Sequence, residues 1–205
     1  MNENLKKTIV SLLVLIINIL YSQDANQSRV NSTLNAKFGV GYSDFSINNI
    51  GRFNMNSISG IVSYNKSLGS FISLETGVGF INNSGNLLNQ THVNNVNLVL
   101  PVSLKVNVIG KSANTFYSGV GIMPTYKISS KIDNDVDFDA SYSNLINDKG
   151  GNFLIGVKLG TEIAVSDKAN MSIEFSYYAD TFQYGYSNKQ KLNNYAAISV
   201  GLVRF

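Results

Sequence analysis

The chain has no cysteine, no tryptophan, one histidine and two prolines in 205 residues, and only 14% of its residues are charged. Without cysteine there is no disulfide framework, no thiolate metal site, no cysteine nucleophile and no lipid-modified N-terminal cysteine. A single histidine leaves a transition-metal site short of ligands. The charged fraction falls well under the roughly 25% of an average soluble domain. The net charge of +3 is a small surplus of lysine and forms no basic block, so nucleic acid is excluded as a partner. What is plentiful is small or aromatic: 17 glycines, 11 tyrosines and 11 phenylalanines, with many serines and asparagines, a composition that suits a closed sheet.

The length fits one domain, and no linker divides it. At the N-terminus Lys6 and Lys7 precede an apolar run from Ile9 to Leu20, and Tyr21, Ser22 and Gln23 follow. This is the order of a secretory signal, and the run is shorter than the roughly twenty residues of a membrane-spanning helix. Residues 1–22 are therefore expected to be a signal peptide cleaved after Ser22, residues 23–35 a flexible lead-in, and residues 36–205 the folded domain. Removing Glu3, Lys6 and Lys7 lowers the formal charge from +3 to +2.

The longest strand signal runs from Val96 to Val108. Leu98, Leu100, Val102, Leu104, Val106 and Val108 alternate with Asn97, Pro101, Ser103, Lys105 and Asn107, which is the period of two of a β-strand. The run exceeds the five or so residues of a globular strand and matches the roughly nine to eleven of a strand tilted across a bilayer. Comparable alternation covers residues 36–43, 57–65, 72–80, 116–128, 153–163, 171–177 and 195–205. Long polar connections, among them 82–95, 129–150 and 180–193, alternate with short turns, as when loops lie outside a cell and turns face the periplasm. Gly-Val-Gly recurs at 39–41, 77–79 and 119–121, one copy per hairpin. None matches G-x-G-x-x-G, so these glycines pack and do not cradle a phosphate.

Alternation alone also fits a soluble barrel with an apolar cavity. Composition decides against it, because a water-facing wall carries roughly a quarter to a third charged residues. Here the polar face is mostly Gly, Ser, Asn and Thr. Its charges are Lys37, Glu75, Lys105, Lys127, Lys158, Glu162 and Glu174, near balance and expected to pair inside a narrow lumen. Tyr42, Tyr64, Phe80, Phe116, Tyr126, Phe153, Phe175, Tyr177 and Tyr195 fall near strand ends, where an interfacial girdle belongs. Phe205 is a terminal aromatic, and its parity against Ile198, Val200 and Leu202 predicts a bulge or frayed end near Val203-Arg204. The fold expected is all-β: an eight-stranded antiparallel up-and-down transmembrane β-barrel in an outer membrane.

Four stretches carry a family resemblance. Val96 to Val108 has an apolar-Pro-apolar-x-Leu-Lys core, Phe116-Tyr117-Ser118-Gly119-Val120-Gly121 follows it, and Ile173-Glu174-Phe175-Ser176-Tyr177-Tyr178 precedes the Gly201 to Phe205 ending. Together they resemble the PorT-like outer-membrane β-barrel family. The resemblance implies an eight-stranded barrel, and its founding member is tied to type IX secretion and gliding machinery. The expectation is a non-enzymatic envelope component, structural or partnered with a secretion assembly, in contact with outer-membrane lipid and lipopolysaccharide and needing no cofactor. A surface adhesin acting through 129–150 is the second reading, and a lipid or peptide hydrolase the third.

Three features were candidates for chemistry. His92 lies in a polar stretch whose Gln90, Thr91 and Asn94 are poor partners for general-base work, which disfavours the hydrolase. Asp133, Asp135, Asp137 and Asp139 alternate like a calcium loop, but Phe138 and Asn144 stand where an EF-hand needs Gly and Glu. They read either as a solvated acidic loop or as a cation site against lipopolysaccharide. Pro101 and Pro124 fall on consecutive strands at similar height and supply no N–H, so the seam between those strands is expected to be short of hydrogen bonds. It reads as a curvature-adjusting bulge or as a lateral opening.

Overall fold

A computed structural model describes residues 32–47, 51–69, 71–87, 91–109, 114–134, 150–166, 168–180 and 190–204. The expected signal peptide, most of the lead-in, Asp135, Asp137, Asp139 and Phe205 lie outside the described residues. Every described element is a strand: β1 Ser32–Ile47, β2 Gly51–Ser67, β3 Ile72–Leu87, β4 Thr91–Val99, β5 Val102–Ile109, β6 Thr115–Asn134, β7 Gly151–Ser166, β8 Ala169–Asp180 and β9 Gln190–Arg204. All pairings are antiparallel, and β1 pairs with β9 as well as β2, so the sheet closes on itself. β4 and β5 are two halves of one wall strand, interrupted at Leu100-Pro101, and both lie between β3 and β6. The ring therefore has eight positions. Closure leaves no edge of unpaired backbone groups, which is the condition for a sheet to sit in lipid.

The strands are longer than the sequence pattern indicates. β1, β3 and β7 have 16 residues each and β6 has 20, beyond the roughly nine to eleven that cross a bilayer. The connection expected to be a long loop over 82–95 is instead mostly sheet, with β3 running to Leu87 and β4 starting at Thr91. Asn82 to Asn86 and Thr91 to Asn95 read as loop because they are rich in Asn, Ser and Gly. In the fold, Asn83 and Asn95 point inward as direct ladder partners, both fully buried, beside Ile81 and Val93.

Three register shifts bend the wall: at Asp44/Phe45 against Asn194 and Leu192, at Val96/Asn97 against Ser129 and Lys127, and at Ala164/Ser166 against Asn170 and Ala169. The bulge expected near Val203-Arg204 is not there. β9 keeps unbroken register with β8 through Arg204, and Val203 is buried, so the irregular point of β9 is Asn193.

The two faces of the wall differ sharply. Phe38, Val120 and Leu159 are 58%, 60% and 58% exposed, and Val40, Val78, Leu104, Ile198 and Val200 belong to the same continuous belt. A monomeric soluble protein rarely leaves so large a contiguous apolar surface in water, whereas lipid solvates it at no cost. Along the stretch from Leu98 to Val106 the alternation is complete: Leu98, Leu104 and Val106 face out, while Val99, Pro101, Ser103 and Lys105 are buried inside. Inside, glycines make room for rings. A Cβ on Gly156 would strike the Tyr178 ring, and one on Gly160 would strike Tyr117. Tyr195 departs from the girdle assignment, being 2% exposed inside the lumen because its parity on β9 is opposite to that of Ile198.

Candidate functional site

The lumen has two layers. In the half nearer the short turns, Glu75 of β3 sits among three lysines: Lys37 of β1 at 3.1 Å, Lys158 of β7 at 2.9 Å and Lys105 of β5 at 3.3 Å. Glu174 of β8 adds a second carboxylate, 2.7 Å from Lys37 and 3.8 Å from Lys158. Tyr117 donates its hydroxyl to Glu174 Oε2 at 2.9 Å, and the Lys105 ammonium lies 3.8 Å from the centre of the Tyr117 ring. Glu162, at 3.5 Å from Lys105, closes the cluster at its rim. Three lysines thus face three glutamates from five wall strands. Taking one charge out of water costs several kcal/mol, and the arrangement offsets that by giving each ion an opposite partner and further donors.

Of the seven charges on the polar face, these six are brought together. Lys127 is also buried, but it pairs across the ladder with Asn97 in the other half of the lumen. That half combines buried Ser and Asn side chains with large apolar ones. Phe45, Met55, Ile81, Val93, Val99, Met123, Leu154 and Leu192 fill it, with Tyr178 and Tyr195 at its base. Tyr195 donates to Ser59 Oγ at 2.8 Å, and Ser43 and Ser57 both reach Asn83 Oδ1 at 2.7 Å. The gap left between Glu75, Lys158 and Tyr178 is about 10 Å³, room for a single water at most. The apolar lumen residues were legible in principle, since Val99 interrupts the polar parity of its strand and Met123 and Leu154 do the same on theirs.

At the prolines the ladder is thinned without changing register: Val99 pairs with Thr125 on one side of Pro101 and Val102 with Ile122 on the other. Leu100 N–H donates to Pro124 O at 3.0 Å, and Gly77 N–H donates to Pro101 O at 2.9 Å. The reciprocal bonds are missing because neither proline has an N–H. Asp133 is placed in β6 with its backbone opposite His92. Among the described residues no group of three or more His, Asp or Glu is arranged to hold a metal ion.

His92 is not in a loop. It stands near the start of β4, directly across the ladder from Asn86 of β3, and its exposed ring bridges two outward-facing side chains. Nε2 is 2.9 Å from Ser84 Oγ, and Nδ1 is 2.9 Å from Asn86 Oδ1. An amide oxygen only accepts, so Nδ1 carries the proton and Nε2 is left to accept from the serine hydroxyl. Neither partner was found from the sequence. The signal was the two-residue spacing of Ser84 and Asn86, which puts both on one face once 82–87 is read as strand.

Below this rim, on the lipid side, lies an apolar groove of about 730 Å³. Ala36, Phe38, Gly60, Val62, Phe80 and Leu98 line it, with the Phe80 ring packed over Gly60.

No protein-family model matches the chain, and no curated protein does. Solved structures do. Neisserial surface protein A (NspA) is 13% identical, with 86% of this chain and 99% of NspA covered and a TM-score of 0.59. OprG of Pseudomonas aeruginosa is 11% identical over 86% of this chain and 96% of its own, at a TM-score of 0.47. Ail, the attachment invasion locus protein of Yersinia pestis, is 6% identical over 84% and 99%, at 0.45. The likeness to NspA shows the fold: a small eight-stranded β-barrel of the outer-membrane kind.

Proposed function

We propose that the protein is an outer-membrane barrel that works through its wall and outer rim, as a structural or partner component of an envelope assembly. The observation that carries this reading is the filled lumen: the ion cluster around Glu75 and the apolar layer above it leave no path for a solute. A barrel with nothing to conduct contributes by what it presents outside. The PorT-like pattern of Val96 to Val108 points to a type IX-like secretion assembly as the partner class, with outer-membrane lipid and lipopolysaccharide around the wall. An N-terminal signal in residues 1–22, cleaved after Ser22, would deliver the chain across the inner membrane.

The test is affinity purification of the full tagged chain from native outer membranes after mild crosslinking. Stoichiometric recovery of envelope proteins that also span or touch the outer membrane supports the reading. Recovery of the chain alone at every crosslinker dose contradicts it.

A further inference from the structure

We infer that Ser84, His92 and Asn86 form a nucleophile relay on the outer rim of the barrel that cleaves carboxylic esters of membrane lipids. The inference goes beyond the envelope role and needs the lipid-embedded wall but no partner protein.

Three observations carry it. The first is the order of the contacts: hydroxyl to Nε2 at 2.9 Å, then Nδ1 to an amide oxygen at 2.9 Å, which is the connectivity of a serine nucleophile, its base and the group that orients the base. The second is placement. Phe80 and Leu98 are ladder partners in the apolar belt, and Ser84 lies four residues further out on β3, about 13 Å along the strand. That puts it beyond the outward-facing apolar residues of β3, on the side where the lipid headgroups begin. The third is the groove of about 730 Å³ in the lipid-facing wall beneath, apolar and lined by Ala36, Phe38, Val62, Phe80 and Leu98, a lining that suits a hydrocarbon chain. A surface hydrogen-bond pattern alone has no use for a groove; an acyl ester needs both. Asn94, the ladder partner of Ser84, puts a side-chain amide on the same face, a donor type that serves a developing oxyanion.

The reaction is hydrolysis, with water as the only co-reactant. Ser84 Oγ bonds to the ester carbonyl carbon as His92 Nε2 takes its proton. The bond from that carbon to the alcohol oxygen then breaks, and the imidazolium returns the proton to the departing alcohol. The acyl-Ser84 ester is released as a carboxylic acid by a water that His92 deprotonates, which restores the hydroxyl. Ser84 and His92 are the catalytic residues; Asn86 is a positioning residue that fixes the tautomer and orientation of the ring.

The test uses the full chain purified in detergent and checked for barrel folding by its heat-modifiable gel mobility. A fluorophosphonate probe is expected to form an adduct at Ser84, absent in Ser84→Ala and slowed roughly hundredfold in His92→Ala. Asn86→Ala should slow the adduct and Asn86→Asp should restore it, a rescue that a merely structural contact would not show. In phosphatidylethanolamine mixed micelles, fatty-acid release should fall to background in Ser84→Ala. Ala36→Phe, which fills the groove, should cut release from long-chain esters while sparing short ones. An adduct no greater than in Ser84→Ala, or one indifferent to His92→Ala, overturns the relay. Probe reaction without fatty-acid release overturns the lipid ester as substrate.

Discussion

Lys37 of β1 and Glu75 of β3 meet at 3.1 Å inside the barrel although a whole strand, β2, separates them in the wall. The contact crosses the lumen and does not run along the ladder. The same holds for Lys158 of β7 with Glu75 and Lys37 with Glu174 of β8. These three pairs are therefore struts between strands that share no hydrogen bonds, whereas Lys105–Glu75 and Lys158–Glu174 join ladder neighbours, and Glu75 is the end common to three lysines.

Removing that shared end leaves three buried ammonium groups with too few carboxylates. Glu75→Gln is expected to destabilise the barrel by about 3–5 kcal/mol. Pairing it with Lys158→Met, which restores the balance of charge, should recover part of the loss. Urea unfolding midpoints in lipid vesicles measure both, and a double variant no more stable than the single would speak against the strut picture.

Gly156 is small because the Tyr177 backbone carbonyl and the Tyr178 ring both lie against it. Gly156→Val is expected to cost about 1–3 kcal/mol through overpacking. Tyr178→Ala in the same chain should relieve the ring's share of the clash and leave the carbonyl's, so the two changes together should cost less than their sum while still costing stability. Unfolding midpoints of the four chains give the coupling.

Leu100 and Gly77 hold the wall together at the prolines through bonds to Pro124 O and Pro101 O. Their amides are expected to exchange as slowly as those of Val102 and Val120 in hydrogen exchange by NMR. Pro101→Ala supplies the missing donor and should add about 1 kcal/mol of stability. Fast exchange at Leu100 with slow exchange around it would instead mark a lateral opening.

The filled lumen predicts an electrically silent protein. Reconstituted in planar bilayers, it should give no discrete conductance steps, and Glu75→Ala should give none either because the apolar layer of Met55, Ile81, Met123 and Leu154 remains. Steps that persist with identical size in both chains would show a pore that the packing does not allow.

Period-two alternation alone placed most of the wall, because lipid and lumen impose opposite chemistry on successive residues. The ion cluster was visible as charges on the small-residue face. What brings Lys37 and Glu75 together, and leaves Lys127 elsewhere, is the stagger of strands around the ring, which no single strand encodes. The outer layer of the lumen was missed because Val99, Met123 and Leu154 are apolar on both counts and look like noise in the pattern. The Ser84–His92–Asn86 relay was missed for a different reason: Asn-rich sequence between 82 and 95 has low strand propensity, and ladder pairing overrides it. Tyr195 shows the reverse error, an aromatic assigned by its type when its parity decides.

One face of every wall strand meets lipid and the other a packed, water-poor lumen. The chain has no native cysteine, so a single cysteine introduced at each position from 98 to 107 reports only on that position. A nitroxide on each, in liposomes, should be relaxed strongly by oxygen at 98, 104 and 106 and weakly at 99, 103 and 105. A uniform response, or strong relaxation at 105 where Lys105 is 1% exposed, would contradict the account.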